Sequence, residues 1–103
     1  RTEVAPEEVG ELIMKMAGHY ARHNVRYADK LRVFSSVMAE LISSPDPQTG
    51  KAISANKAEI LGEATQACAE YTMEKIHINN LQEYINGLKS LQKSLMVEYG
   101  HVQ

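Results

Sequence analysis

Two long stretches of the chain place apolar residues at steps of three and four, which is the spacing of one face of an amphipathic helix. In the first stretch these positions are Val9, Ile13, Met16, Tyr20, Tyr27, Leu31, Phe34, Met38 and Leu41. The one long step, from Tyr20 to Tyr27, predicts a local shift in packing. The pattern predicts a helix over about residues 7–43. Because glycine is a weak helix former, a break near Gly18, giving three helices in all, stays open.

The second stretch carries the same spacing with hardly an interruption. Its stripe runs through Leu61, Ala64, Cys68, Tyr71, Lys75, Ile78, Leu81, Ile85, Leu88, Leu91, Leu95 and Tyr99. Ser54 suits a helix N-cap, and Gly100 is a residue type at which helices commonly end. The pattern therefore predicts a second helix over about residues 54–99.

A connector of residues 44–53 separates the two predicted helices. Pro45 and Pro47 end the first helix, because neither donates a backbone hydrogen bond and each disfavours helical geometry at the residue before it. Gly50 is able to take a left-handed turn conformation. We therefore expect an all-α fold in which residues 1–103 form a single domain. That domain is a long, coiled-coil-like antiparallel helical hairpin, assembling with other chains into a multi-helix bundle.

Folding the chain back near Gln48 predicts which residues of the two helices face each other. This register pairs Arg22 with Glu74 and Arg26 with Glu70 as ion pairs. It also leaves the last turns of the second helix beyond the reach of the first, so their apolar residues need another chain. The predicted oligomer interface consists of Leu88, Leu91, Leu95, Met96 and Tyr99.

Length and composition favour association over chemistry. A domain of 103 residues buries only a modest share of its apolar surface alone. We therefore expect a homo-oligomer, most simply a dimer, and a further unidentified protein partner. One cysteine fits a reducing compartment, and no long apolar run indicates a membrane span, so we expect a cytoplasmic protein without a membrane partner. No motif predicts a catalytic residue or a cofactor, and an enzyme is not expected.

Two groups of side chains allow other interpretations. Lys15, His19, Arg22, Arg26 and Lys30 fall near one face of the first helix and form a possible nucleic-acid or acidic-partner face. Pairing with acids of the second helix is the favoured explanation. His19 and His23 have the spacing of two ligands on one helix, with His19 opposite His77 in the predicted register. Since no third ligand stands at a convincing spacing, no metal site is predicted.

The connector run Asp46-Pro47-Gln48-Thr49-Gly50-Lys51, with Ser54 and Ala58-Glu59 after it, resembles small α-helical proteins of tailed bacteriophages and prophages. The resemblance extends loosely to the leucine- and lysine-rich run at residues 85–91. It implies an accessory or adaptor protein of a phage-related process in the cytoplasm of a bacterial host, and it carries over no catalytic residue.

A second resemblance leads to a different class of protein. Pro45-Asp46-Pro47 and Glu70-Tyr71-Thr72 are similar to parts of type III secretion needle subunits, which are helical hairpins. The proline spacing here is shorter and the distance to Tyr71 is longer. This resemblance implies the alternative function, a structural subunit of a needle-like filament.

Overall fold

The computed structural model describes residues 4–102, and three α-helices account for most of that range. Helix α1 spans Pro6–Ser43, helix α2 spans Ala55–Glu63 and helix α3 spans Gln66–Val102. No described residue belongs to a β-strand. The fold is an all-α helical hairpin, as the spacing of the apolar residues predicts.

The third helix arises from a break that the sequence pattern does not predict. Helix α1 is continuous through Gly18, whereas the second helical stretch is interrupted at Ala64 and Thr65. There Thr65 Oγ1 donates to the carbonyl oxygen of Gly62 at 2.6 Å and accepts from the backbone N–H of Cys68 at 3.2 Å. Thr65 is therefore the N-cap of α3. At the other end α3 continues past Gly100, so the end predicted at that residue is wrong.

The connector is ordered around the buried side chain of Asp46, which is 8% exposed. Its Oδ1 accepts hydrogen bonds of 2.8 Å from Lys57 Nζ and from the backbone N–H of Gln48. The pKa of the Asp46 carboxyl is lowered below its ordinary value of 3.8. The main cause is the hydrogen bond from Lys57, and the second is the hydrogen bond from the backbone of Gln48. Backbone hydrogen bonds join Asp46 N to Lys51 O at 2.7 Å and Gly50 N to Asp46 O at 2.8 Å.

Two residues of the connector act as the sequence predicts. Gly50 has φ of 71°, the left-handed conformation that costs glycine least. Ser54 caps α2, since its Oγ accepts a hydrogen bond of 3.1 Å from the backbone N–H of Lys57. The same lysine thus contributes its backbone to the cap and its ammonium group to Asp46, which fixes the start of α2 against the connector.

Each long helix has an uninterrupted seam of buried and half-buried residues at alternating steps of three and four. In α1 the seam consists of Val9, Ile13, Met16, Tyr20, His23, Tyr27, Lys30, Phe34, Val37 and Leu41. In α3 it consists of Ala67, Tyr71, Glu74, Ile78, Leu81, Ile85, Leu88, Gln92 and Leu95. This is the spacing of a coiled-coil seam. His23 fills the step between Tyr20 and Tyr27 on this seam. The packing shift expected there stays a prediction.

Contacts within the chain divide it into two compact units. Unit 1 combines the chain up to His23 with the chain from His77 onward, and unit 2 is Asn24–Ile76. In unit 1 the apolar residues Val9, Ile78 and Ile85 are buried.

Unit 2 combines an aromatic cluster with a close approach of backbones. The ring of Tyr71 stacks on Phe34 at 5.4 Å between centroids and lies 5.7 Å from the ring of Tyr27. Nearer the connector, Ala58 and Gly62 of α2 are buried, and the side chain of Met38 lies directly over Gly62. The small residues of α2 therefore let α1 approach closely.

The register of unit 2 differs from the predicted one by a helical turn. Glu70 Oε1 pairs with Lys30 Nζ at 3.3 Å, and the predicted partner Arg26 has no ion pair or hydrogen bond within the described chain. The ion pair between Arg26 and Glu70 is therefore wrong. The half-buried pair of Lys30 and Glu70 and the ring contacts of Tyr71 with Tyr27 and Phe34 occur together in this register. The pairing of Arg22 with Glu74 stays a prediction.

Candidate association surface

The end of unit 1 brings the first turns of α1 against the last turns of α3. Nε2 of Gln92 donates a hydrogen bond of 3.1 Å to the carbonyl oxygen of Pro6, which is buried. Gly10 permits this approach, because a Cβ there would stand 2.8 Å from Gln92 Nε2. The first helix therefore reaches Gln92. The predicted register has α3 extend beyond the first helix from Leu91 onward, and this prediction is wrong for the beginning of that segment.

One side of this end carries an open apolar groove of about 440 Å³, which we name the Leu91 groove. Its apolar lining consists of Val4, Val9, Leu12, Leu88 and Leu91, and its charged lining residues, which we name its rim, are the exposed Glu8, Glu11 and Lys15. Leu91 is 45% exposed and Val4 is 42% exposed. The groove is thus an apolar surface bordered by charges that all belong to α1.

A second groove of about 400 Å³, the Tyr99 groove, lies at the same end of unit 1. It is lined by Pro6, Glu7, Gln92, Met96, Tyr99 and Gly100. On α3 the positions of Leu91 and Met96 fall on opposite flanks of the seam that contains Gln92 and Leu95, since successive residues turn by about 100°. The two grooves therefore lie on opposite faces of the helix pair.

The five residues of the predicted oligomer interface fall into two groups in the structure. Leu88 and Leu95 are half-buried on the seam of α3. Leu91, Met96 and Tyr99 are 45%, 59% and 41% exposed. Further exposed apolar residues of unit 1 lie outside the predicted set: Val4, Met14, Tyr84 and Val97. These residues do not lie on the seam, so the spacing of three and four residues in the sequence does not identify them.

The residues of the predicted basic face have different surroundings. Lys30 is paired with Glu70, and the guanidinium Nη2 of Arg22 contacts Nδ1 of His19. Lys15 and Arg26 are exposed, and Lys15 lies on the rim of the Leu91 groove. Because three of these five side chains make contacts within the chain, the structure does not present them as one free cationic stripe.

Another open groove in unit 1, of about 420 Å³, contains two histidines, and we name it the histidine groove. It is lined by Met16, His23, His77, Asn80, Leu81 and Tyr84. The rings of His23 and His77 meet edge to face, with centroids 5.4 Å apart and planes at 72°. His77 therefore faces His23. The predicted register instead places His19, one helical turn earlier, opposite His77.

The chain matches no protein-family model, and no curated protein or solved structure is significantly similar to it. Among the described helices, none is long and apolar enough to cross a membrane. A functional interpretation therefore starts from the surface of unit 1 itself.

Proposed function

We propose that the protein is a non-enzymatic helical hairpin that acts through protein–protein association, first with a second copy of itself. The observation that carries the proposal is the exposed apolar surface at the end of unit 1. Buried apolar side chains in the described part of unit 1 include Val9, Ile78 and Ile85, whereas Leu91, Met96 and Tyr99 keep two fifths or more of their surface exposed. An apolar surface of this kind typically marks an interaction site.

The area that the chain leaves accessible is sufficient for a stable interface. The chain has 7618 Å² of accessible surface. An interface of standard size takes roughly 800 Å² from each partner. A dimer could therefore bury a full interface and leave surface for another partner.

The charges on the rim of the Leu91 groove are complementary to those on the same rim of a second copy. Glu8 and Glu11 lie on one side of Leu12 along α1, and Lys15 lies on the other. A two-fold axis near Leu12 would run the two α1 helices antiparallel and bring Glu8 of one copy close to Lys15 of its partner. Each such contact occurs twice in a symmetric dimer. This pattern favours a second copy as the occupant of the groove.

The existence of the Tyr99 groove on the other face favours the second candidate function. If both faces bind further copies in a head-to-tail manner, the assembly does not close and a filament results. This is the arrangement expected of a needle-like structural subunit. A closed dimer through the Leu91 groove would instead leave Met96 and Tyr99 for a different protein, as expected of an adaptor.

The biological setting of the proposal rests on the connector. Its resemblance to small helical phage proteins supports an accessory or adaptor role in a phage-related process in a bacterial cytoplasm. Gln48 and Thr49 of the connector are exposed, and the backbone N–H of Gln48 donates to Asp46.

Sedimentation equilibrium of the whole chain at micromolar concentration tests the proposal. We expect a dimer for the natural chain and a monomer of unchanged helicity for Leu91→Glu, because the carboxylate would be buried in the interface. Met14→Glu is the matched control: Met14 is 77% exposed in the same unit and lines none of the three grooves of that unit. A natural chain that stays monomeric would overturn the proposal.

A charge exchange distinguishes self-pairing from binding of another protein. Lys15→Glu should weaken the dimer by up to about 30-fold, from two lost rim contacts of up to about 1 kcal/mol each. Adding Glu8→Lys to that variant should restore dimerisation. If the double variant is no better than the single one, the proposed two-fold pairing is wrong. Filaments in negative-stain micrographs at high protein concentration would contradict the closed dimer and support the alternative function, the structural subunit of a filament.

A further inference from the structure

We infer that His23 and His77 form a binding site for a divalent transition-metal ion such as Zn²⁺. The two residues come from α1 and α3, fifty-four positions apart in the sequence, and lie together in unit 1. One ring nitrogen of each lies within 4.8 Å of the other. Two imidazoles from facing helices are a metal-ligand pair that sequence spacing alone does not indicate.

The distance between the rings is close to that of a bound pair. Zinc–imidazole bonds are about 2.0–2.1 Å long, which sets two ligand nitrogens of a tetrahedral site roughly 3.3 Å apart. A change of roughly 1.5 Å or less is therefore needed, and rotation of one ring about its side-chain bonds supplies movements of this size. His77 is exposed and is the ring with room to turn.

The surroundings suit an ion with open coordination positions. His23 is half-buried on the seam of α1, so its ring is held in place, while the histidine groove opens beside it to solvent. The remaining positions of the ion would be occupied by water or by a ligand that enters the groove. Imidazole nitrogens suit zinc, copper and nickel, whereas Mg²⁺ and Ca²⁺ prefer oxygen ligands.

Binding would connect the two long helices and would therefore stabilise the folded chain. The two histidines are far apart in the sequence, and the unfolded chain does not hold them close together. The ion therefore binds the folded state preferentially. With the ion at a hundredfold excess over its dissociation constant, the melting temperature should rise by roughly 10 °C.

Zn²⁺ titration of the full chain, followed by thermal unfolding and by isothermal calorimetry, tests this inference. We expect stabilisation by Zn²⁺ and Ni²⁺ but not by Mg²⁺, and a loss of affinity of at least about tenfold in both His23→Gln and His77→Gln. Cu²⁺ bound to the natural chain should show two nitrogen ligands by electron paramagnetic resonance, and one in His77→Gln.

His19→Gln is the matched control, because His19 is the alternative partner of His23 on the same helix. Retained affinity in this variant supports the inference. Loss of affinity in His19→Gln together with retention in His77→Gln would overturn it in favour of a site on α1 alone. The absence of any Zn²⁺-dependent stabilisation at submillimolar concentration would overturn it altogether. The same titration on Leu91→Glu separates metal binding from self-association.

Discussion

Gly62 offers a sensitive test of how closely α1 and α2 pack in unit 2. It is buried, and a Cβ added to it would overlap the sulfur of Met38 and stand 3.1 Å from the methionine methyl carbon. Replacing a helical glycine by alanine normally stabilises a helix by up to about 1 kcal/mol. Here the overlap opposes that gain, because the end of the Met38 side chain must move to make room, and forcing an extra carbon into a packed site costs typically about 1–3 kcal/mol.

We therefore expect Gly62→Ala to lower the free energy of unfolding by about 1 kcal/mol, which lowers the melting temperature by roughly 4–8 °C. Gly87→Ala is the matched control, because a Cβ at Gly87 in α3 meets nothing within 4 Å. That substitution should raise stability by up to about 1 kcal/mol. Urea denaturation followed by circular dichroism, at one fixed protein concentration, measures both.

A double-mutant cycle identifies the cause of the Gly62 effect. Met38→Ala removes the atoms that the new Cβ would meet, so Gly62→Ala should be far less harmful in that background. We expect a favourable coupling energy of about 0.5–3 kcal/mol between the two positions. Stabilisation of the natural chain by Gly62→Ala as large as that by Gly87→Ala, or a coupling energy of zero, would refute the close packing of Met38 on Gly62.

Two further predictions concern the connector and the helix ends. Because the pKa of the Asp46 carboxyl is lowered in the folded chain by its hydrogen bond from Lys57, its contribution to stability is complete above about pH 4 and is lost as the pH falls through the lower, folded-state pKa. Asp46→Asn should therefore flatten the acid limb of a stability–pH curve, and an unchanged limb would contradict this role. Ser54→Ala and Thr65→Ala should each cost about 1 kcal/mol in urea denaturation, from loss of an N-cap. No loss in Thr65→Ala would argue against the break before α3.

Local signals in the sequence predicted the helices well, because apolar spacing and caps act within a few residues. The long helices and the cap at Ser54 follow directly from the sequence. The N-cap at Thr65 also has a local signal in the sequence, because a threonine can accept a hydrogen bond from the backbone N–H three residues later. The apolar stripe from Leu61 to Tyr71 hides this signal, since the short break between α2 and α3 leaves the apolar spacing almost unchanged.

Long-range features were harder to predict, because several registers satisfy the same sequence. The charges of α1 offer Glu70 more than one basic partner, and surface ion pairs contribute too little to choose between them. The ring contacts of Tyr71 with Tyr27 and Phe34 accompany the observed register, and these contacts are known only once the backbones are placed. The same limit applies to the surface of unit 1: the sequence predicts Leu91 and Tyr99 as association residues, but their separation onto two grooves depends on the register.

The Asp46 network also bears on the order in which the chain folds. Its contacts close a loop of only 11 residues between Asp46 and Lys57, whereas the bond from Gln92 to Pro6 joins residues 86 apart. Short loops close fastest and with the smallest loss of chain entropy. We therefore expect the connector to nucleate folding and the grooves at the end of unit 1 to form last. Association would then follow the completion of folding, and partly folded chains would not yet display the surface proposed to recognise a second copy.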